Sequence, residues 1–129
     1  MRAGDAESLQ PLADLLVAEG RIGEALPMEE AAVKAAPGNV TGICKLGELL
    51  ARTGKFSEAA ACLHDAAAMA PESIPIRIEL CEALVAGGER ESALQVCAEV
   101  DVLARESGDA NAVDAAAKLR RDCEGVEGR

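Results

Sequence analysis

Residues 40–71 read VTGICKLGELLARTGKFSEAAACLHDAAAMAP, and this stretch decides the fold. In its first half Leu46, Leu49 and Leu50 fall on i, i+3 and i+4, the spacing of an apolar stripe along a helix. Gly54 then supplies the permissive backbone of a tight turn. An alanine-rich second half follows, in which Ala59 and Ala66 lack bulk, so the first helix can lie close against them. Pro71 ends the segment, because proline cannot continue a helix and restricts the residue before it. The stretch therefore reads as one helical hairpin.

Moving outward, the same hairpin recurs at an offset of 34. Leu12, Leu46 and Leu80 are 34 apart, as are Leu16, Leu50 and Leu84. Gly20, Gly54 and Gly88 keep the step, as do Ala25, Ala59 and Ala93, and Pro37 with Pro71. Leu9, Leu12, Ala13 and Leu16 form the stripe upstream, and Leu80, Ala83 and Leu84 the one downstream. Helices are predicted at about 7–19, 24–35, 40–52, 57–69, 74–86 and 90–106. Pro27 is read into the first turn of its helix, where a missing N–H costs little. After Ser107-Gly108-Asp109, a seventh helix is predicted over 110–124 with Asp109 as its N-cap. Its stripe is Ala112, Val113, Ala116 and Leu119, while Lys118, Arg120 and Arg121 sit toward the end that favours cations. Residues 125–129 are expected to fray.

Composition narrows the function. One Phe and no Trp or Tyr among 129 residues leave packing to Ala, Leu and Val, which suits close helices better than a sandwich or barrel. A net charge of −10 argues against nucleic acid and against anionic membrane surfaces. No apolar run reaches the ~20 residues of a membrane helix, and MRAGDAESLQ lacks the apolar core of a signal peptide. A cytoplasmic protein is expected, although a segment of a longer protein would read the same way. Cys44, Cys62, Cys81, Cys97 and Cys123 contain no close pair, and the one histidine is His64. They read as small, buried, reduced thiols, each filling an alanine-sized gap, with no metal and no cofactor. Neither a Ser/His/Asp set nor a phosphate loop is present, so no enzyme is expected.

The period and residue classes resemble tetratricopeptide repeats. The central unit carries the likeness best, in Ile43, Leu46, Gly47, Leu50, Ala59, Leu63 and Pro71, with Gly54-Lys55-Phe56 at the turn. The first unit supplies Leu9, Leu12, Ala13, Leu16, Gly20, Ala25 and Pro37, but Glu29 replaces a large apolar residue. The third supplies Leu80, Leu84, Gly88 and Ala93, with Arg77, Cys81 and Cys97 at weaker slots and Arg105 where a proline is usual. The likeness covers roughly residues 6–105. It implies an all-α fold, an α-solenoid of three antiparallel helix-turn-helix repeats (about 6–39, 40–73 and 74–107) plus a capping helix (about 109–124), seven helices in a single domain over 1–129.

The resemblance also implies a concave surface lined by the first helix of each pair, and a protein or peptide partner. Equivalent outward slots on those helices hold Asp14, Glu48 and Glu82. Glu7, Gln10 and Thr41 neighbour them, with Val17, Cys44, Ile78 and Val85 for apolar contact and Arg52 as the main basic exception. At ~10 Å in water two acids repel by only about 0.4 kcal/mol, and a basic or amphipathic segment would gain register from such a ladder. The same acids read equally as ordinary solvated residues of an acidic protein. Family members that bind heat-shock chaperones read a terminal carboxylate with Lys, Asn and Arg. Here the matching faces hold Gln10, Asp14, Cys44, Glu48, Ile78 and Glu82, so that clamp is missing. Three functions stay open: an interaction adaptor, a self-assembling homo-oligomeric scaffold, and a regulatory module of a larger protein. Of the remaining features, Glu29 reads as solvated at an outer edge and His64 as a surface residue. Met28 and Met69 read as core filler, and Arg77 either pairs with a nearby acid or marks an irregular junction.

Overall fold

The alanine-rich helices leave little bulk between neighbours, and the chain stacks accordingly. The computed structural model describes the backbone of residues 6–127 and the side chains of residues 11–124. The described residues form seven helices and no strand: α1 (Ala6–Ala18), α2 (Ile22–Ala35), α3 (Val40–Arg52), α4 (Phe56–Met69), α5 (Ile74–Ala86), α6 (Arg90–Ser107) and α7 (Ala110–Glu127). Each packs on the next in sequence, and α5 also touches α3 and α7. The fold is thus the expected α-solenoid of three antiparallel hairpins closed by a final helix. That helix runs on to Glu127, through residues where fraying was expected, and residues 128–129 lie outside the description.

The turns repeat one device. Gly20, Gly54, Gly88 and Gly108 have φ of 78°, 83°, 78° and 73°, the left-handed conformation that glycine adopts without steric cost. The residue after each donates its N–H five residues back: Arg21 to Leu16 O at 2.8 Å, and Lys55 to Leu50 O, Glu89 to Leu84 O and Asp109 to Ala104 O at 2.9 Å each. Junctions between hairpins use a second device. Ala36 and Ala70 leave the helix just before Pro37 and Pro71, each still bonded four residues back at 3.0 Å. Asn39 and Ser73 then cap α3 and α5 by accepting from the Gly42 and Ile76 N–H groups at 3.4 Å. Asp109 caps α7 as predicted, accepting from the Ala112 N–H at 3.1 Å. Pro27 departs from expectation. Because α2 starts at Ile22, Pro27 is its sixth residue, and the bond its N–H would have made to the Gly23 carbonyl is missing.

The core follows the register. Ala25, Ala59 and Ala93 are fully buried, and Leu16, Leu50 and Leu84 are buried with them in one core. A facing pair of slots recurs inside each hairpin: Ala13 and Glu29, Gly47 and Leu63, Cys81 and Cys97. A Cβ on Gly47 would lie 2.9 Å from Leu63 Cγ, and the Cys81 and Cys97 sulfurs are 2.9 Å apart. This explains one correction. Glu29 is not solvated but 1% exposed, because its slot faces the partner helix as those of Leu63 and Cys97 do. Among the described residues no buried side-chain nitrogen or oxygen lacks a hydrogen-bond partner, so its carboxylate is satisfied there.

Two apolar expectations also change. Leu12 is 42% exposed, whereas its counterparts Leu46 and Leu80 are buried. The second helix of the preceding hairpin packs on α3 and on α5, and among the described residues no helix precedes α1. Met69 is exposed at the end of α4, while Met28 packs against the core as expected.

Candidate functional site

The first helices α1, α3 and α5, joined by α7, carry a row of three clefts. The first, about 220 Å³, is lined by Asp14 and Val17 of α1, Glu29 of α2, and Lys45, Glu48 and Leu49 of α3. The second, about 160 Å³, lies between α3 and α5 and includes Glu48, Ala51, Glu79, Glu82 and Ala86 over a floor of Phe56 and Leu63. The third, about 360 Å³, lies between α5 and α7 and is lined by Ile78, Glu82, Val85, Ala86, Ala115, Lys118, Leu119 and Asp122. Glu48 belongs to the first two clefts and Glu82 to the last two, so the row is continuous.

Six of the residues singled out from sequence are thereby gathered. Asp14, Val17, Glu48, Ile78, Glu82 and Val85 line the row. Cys44 lines none of these clefts; it is half-buried against the apolar cluster of Ile43, Ala66, Ala67 and Ile76, and burial first, then the Glu79 carboxylate, pushes its thiol up. Thr41 and Arg52 are exposed on α3 but line none of these clefts. Glu7 and Gln10 have side chains outside the described residues.

The charge pattern differs from a plain ladder. Lys45 Nζ donates to Asp14 Oδ2 at 3.0 Å and Oδ1 at 3.2 Å, tying α3 to α1. The acid at the first rung is thus neutralised, and Lys45 joins Arg52 as a basic residue on α3. Negative charge concentrates further along. Burial pushes the Glu79 carboxyl up, and the Glu48 and Glu82 carboxylates push it further in the same direction. Sequence reasoning passed over Glu79 because it asked only which acids repeat every 34 residues. It lies three residues before Glu82, on the neighbouring strip of α5.

Elsewhere, Arg77 resolves toward pairing. Its Nε lies 3.3 Å from Glu99 Oε1, and an Nη1 proton goes to the Pro71 carbonyl, which clamps the α4–α5 junction onto α6. It shares a cleft of about 620 Å³ with exposed His64, Ser92, Gln95 and Glu99, lined by α4, α5 and α6. The cysteines hold the larger surprise. Cys81, Cys97 and Cys123 come from α5, α6 and α7, and their sulfurs all lie within 4.8 Å of one another. A search for close pairs along the chain could not see this, because their spacings of 16 and 26 place them one to a helix. The signal that was available is that Cys81 and Cys97 hold facing slots of the repeat.

A profile of the tetratricopeptide repeat family matches residues 50–119. No curated protein sequence matches the chain. Among solved structures, the TPR2AB domain of yeast Sti1 in complex with pHSP90 superposes with a TM-score of 0.80 at 20% identity over 92% of this chain. The present chain spans 46% of that one. The first TPR of Spaghetti (RPAP3) bound to the HSP90 peptide SRMEEVD gives 0.78 at 19% identity, covering 98% of this chain and 97% of that one. The Yersinia enterocolitica type III secretion chaperone SycD, in complex with a peptide of the translocator YopD, gives 0.76 at 16% identity, covering 94% and 91%. At these identities the likeness is one of fold. No helix among the described residues is long and apolar enough to cross a membrane.

Proposed function

Because the chain belongs to the tetratricopeptide repeat family, we propose that it is a protein-interaction scaffold whose row of clefts along α1, α3, α5 and α7 holds a basic or amphipathic peptide segment. The observation that carries this is the Glu48, Glu79 and Glu82 cluster, which straddles two adjoining clefts and in which burial first, and the two neighbouring carboxylates second, push the Glu79 carboxyl up. A lysine or arginine placed there relieves the repulsion and pairs with a carboxylate that burial leaves poorly solvated. Ile78, Val85 and Leu119 in the adjoining cleft offer apolar contact to the other face of such a segment. Lys118 and Asp122, supplied by α7, extend the lining with both signs of charge.

The same cluster bears on what is excluded. The heptapeptide SRMEEVD, bound by the Spaghetti domain, carries three acids and a terminal carboxylate. Apposed to Glu48, Glu79 and Glu82 it meets like charge, so it is expected not to bind here. The test is fluorescence anisotropy with labelled SRMEEVD and a labelled amphipathic Lys/Leu heptapeptide. The basic peptide is expected to bind, more weakly as salt rises, and SRMEEVD is expected not to. Glu48→Lys with Glu82→Lys is expected to weaken the basic peptide at least tenfold, about 1.4 kcal/mol, with helicity unchanged. Equal binding of both peptides, or no effect of the double substitution, refutes the reading.

Self-assembly keeps one specific observation behind it. Leu12 and Leu15 are 42% and 54% exposed on α1, which no helix precedes among the described residues. Light scattering over a concentration series decides it: association abolished by Leu12→Glu with Leu15→Glu supports this reading, and a monomer throughout removes it.

A further inference from the structure

The three sulfurs gathered between α5, α6 and α7 have a chemistry that neither the fold nor the row of clefts uses. Cys81 and Cys97 are 0% exposed and Cys123 is 1% exposed. Cys81 Sγ lies 2.9 Å from Cys97 Sγ and 3.4 Å from the Ala93 carbonyl, and all three sulfurs fit within 4.8 Å. A soft centre bound to three sulfurs in one plane at ~2.3 Å would hold them about 4.0 Å apart. The Cys81–Cys97 separation is shorter than that and none exceeds 4.8 Å, so a small opening of the Cys81–Cys97 contact brings the group toward it.

Donor number narrows the ion. Zinc takes four ligands in a closed site, whereas no fourth Cys, His, Asp or Glu joins the group among the described residues. The only histidine, His64, is on α4 and exposed. Hard cations take oxygen ligands, and thiolate sulfur selects soft ones. We propose that Cys81, Cys97 and Cys123 form a buried trithiol site for one thiophilic ion of three-coordinate preference, which staples α7 to the third hairpin.

Two probes express that chemistry with different balances. With arsenite, three S–H and three As–OH bonds break, three As–S bonds form and three waters leave, so the product is neutral and needs no oxidant. With Cu(I) supplied in reduced form, three S–H bonds break, three Cu–S bonds form and three protons pass to solvent, leaving two net negative charges. The arsenite reaction releases no net proton, so its binding is expected to be independent of pH around neutrality, whereas the Cu(I) reaction releases three protons and is expected to tighten as pH rises.

The test uses anaerobic, reduced protein carrying Cys44→Ser and Cys62→Ser, so that only the three buried thiols remain. It is titrated with arsenite and, separately, with Cu(I) held by a competing chelator. The expected result with at least one probe is one ion per chain, three sulfur neighbours by X-ray absorption and a raised unfolding temperature. Cys81→Ala, Cys97→Ala and Cys123→Ala are each expected to weaken binding at least tenfold, with circular dichroism confirming that each variant is folded. Failure of both probes to bind one per chain overturns the proposal. So does an ion with two sulfur neighbours, or binding that survives Cys123→Ala.

Discussion

Gly47→Ala isolates the packing on which the hairpin depends. Gly47 lies inside α3, and alanine there gains up to about 1 kcal/mol of helix preference. Against that, the added Cβ would stand 2.9 Å from Leu63 Cγ and 3.1 Å from Leu63 Cδ2, with the Ala59 carbonyl at 3.5 Å. Leu63 is 2% exposed and cannot swing into solvent. Overpacking of this kind costs about 1–3 kcal/mol, so the net effect is a loss of about 1 kcal/mol. Gly23→Ala in α2 is the control. Nothing lies within 4 Å of its added Cβ, so it is expected to gain a few tenths of a kcal/mol up to about 1. Leu63→Ala alone should cost about 2–5 kcal/mol, but in its presence Gly47→Ala should become stabilising. That reversal is a coupling of at least ~1 kcal/mol in a double-mutant cycle. Urea unfolding followed by circular dichroism reads the natural chain and the four variants, with an unchanged slope m as the check that only stability has moved. If Gly47→Ala stabilises as Gly23→Ala does, or if its effect is the same with and without Leu63, the two helices do not meet as described.

Asp109→Ala removes the bond to the Ala112 N–H and should cost about 1 kcal/mol, seen as a lower urea midpoint, whereas Asp109→Ser should recover most of it. Glu79→Gln tests the acidic cluster through pH. A carboxyl held above its ordinary range binds more protons in the folded chain than in the unfolded one, so its contribution to stability falls as pH rises through that window. The variant should therefore be more stable than the natural chain at neutral pH, and the difference should vanish once pH falls below the ordinary carboxylate range. Urea midpoints at a series of pH values measure this, and a difference that does not change with pH contradicts it.

Much of the fold was legible because the strongest signals are local. Gly20, Gly54 and Gly88 mark turns by their backbone, Pro37 and Pro71 mark helix ends by a missing donor, and the leucine spacing marks the buried face. What the sequence hid depends on which helix lies opposite. Glu29 looked polar and therefore solvated, yet its slot faces inward, so the register outranked the residue type. Leu12 keeps the register and is still exposed, because its counterparts owe their burial to a preceding hairpin. Along the row of clefts, the acids at Glu48 and Glu82 could be aligned from the period. The pairing of Lys45 with Asp14 and the crowding of Glu79 join residues from different slots, and a single 34-residue comparison cannot pair slots across helices. The cysteine trio is the same case across three helices.

The facing slots have one more consequence. Glycine stands against leucine in the second hairpin, and cysteine stands against cysteine in the third. Bulk is shared out differently between the two partners each time, while the space between them stays closed. A single helix is therefore not an interchangeable part. Moving α5 into the place of α3 would set the Cys81 side chain against Leu63, repeating the collision that any Cβ at Gly47 makes. A whole hairpin carries its matched pair with it, so duplication, deletion or grafting of this stack should succeed in steps of two helices and fail in steps of one.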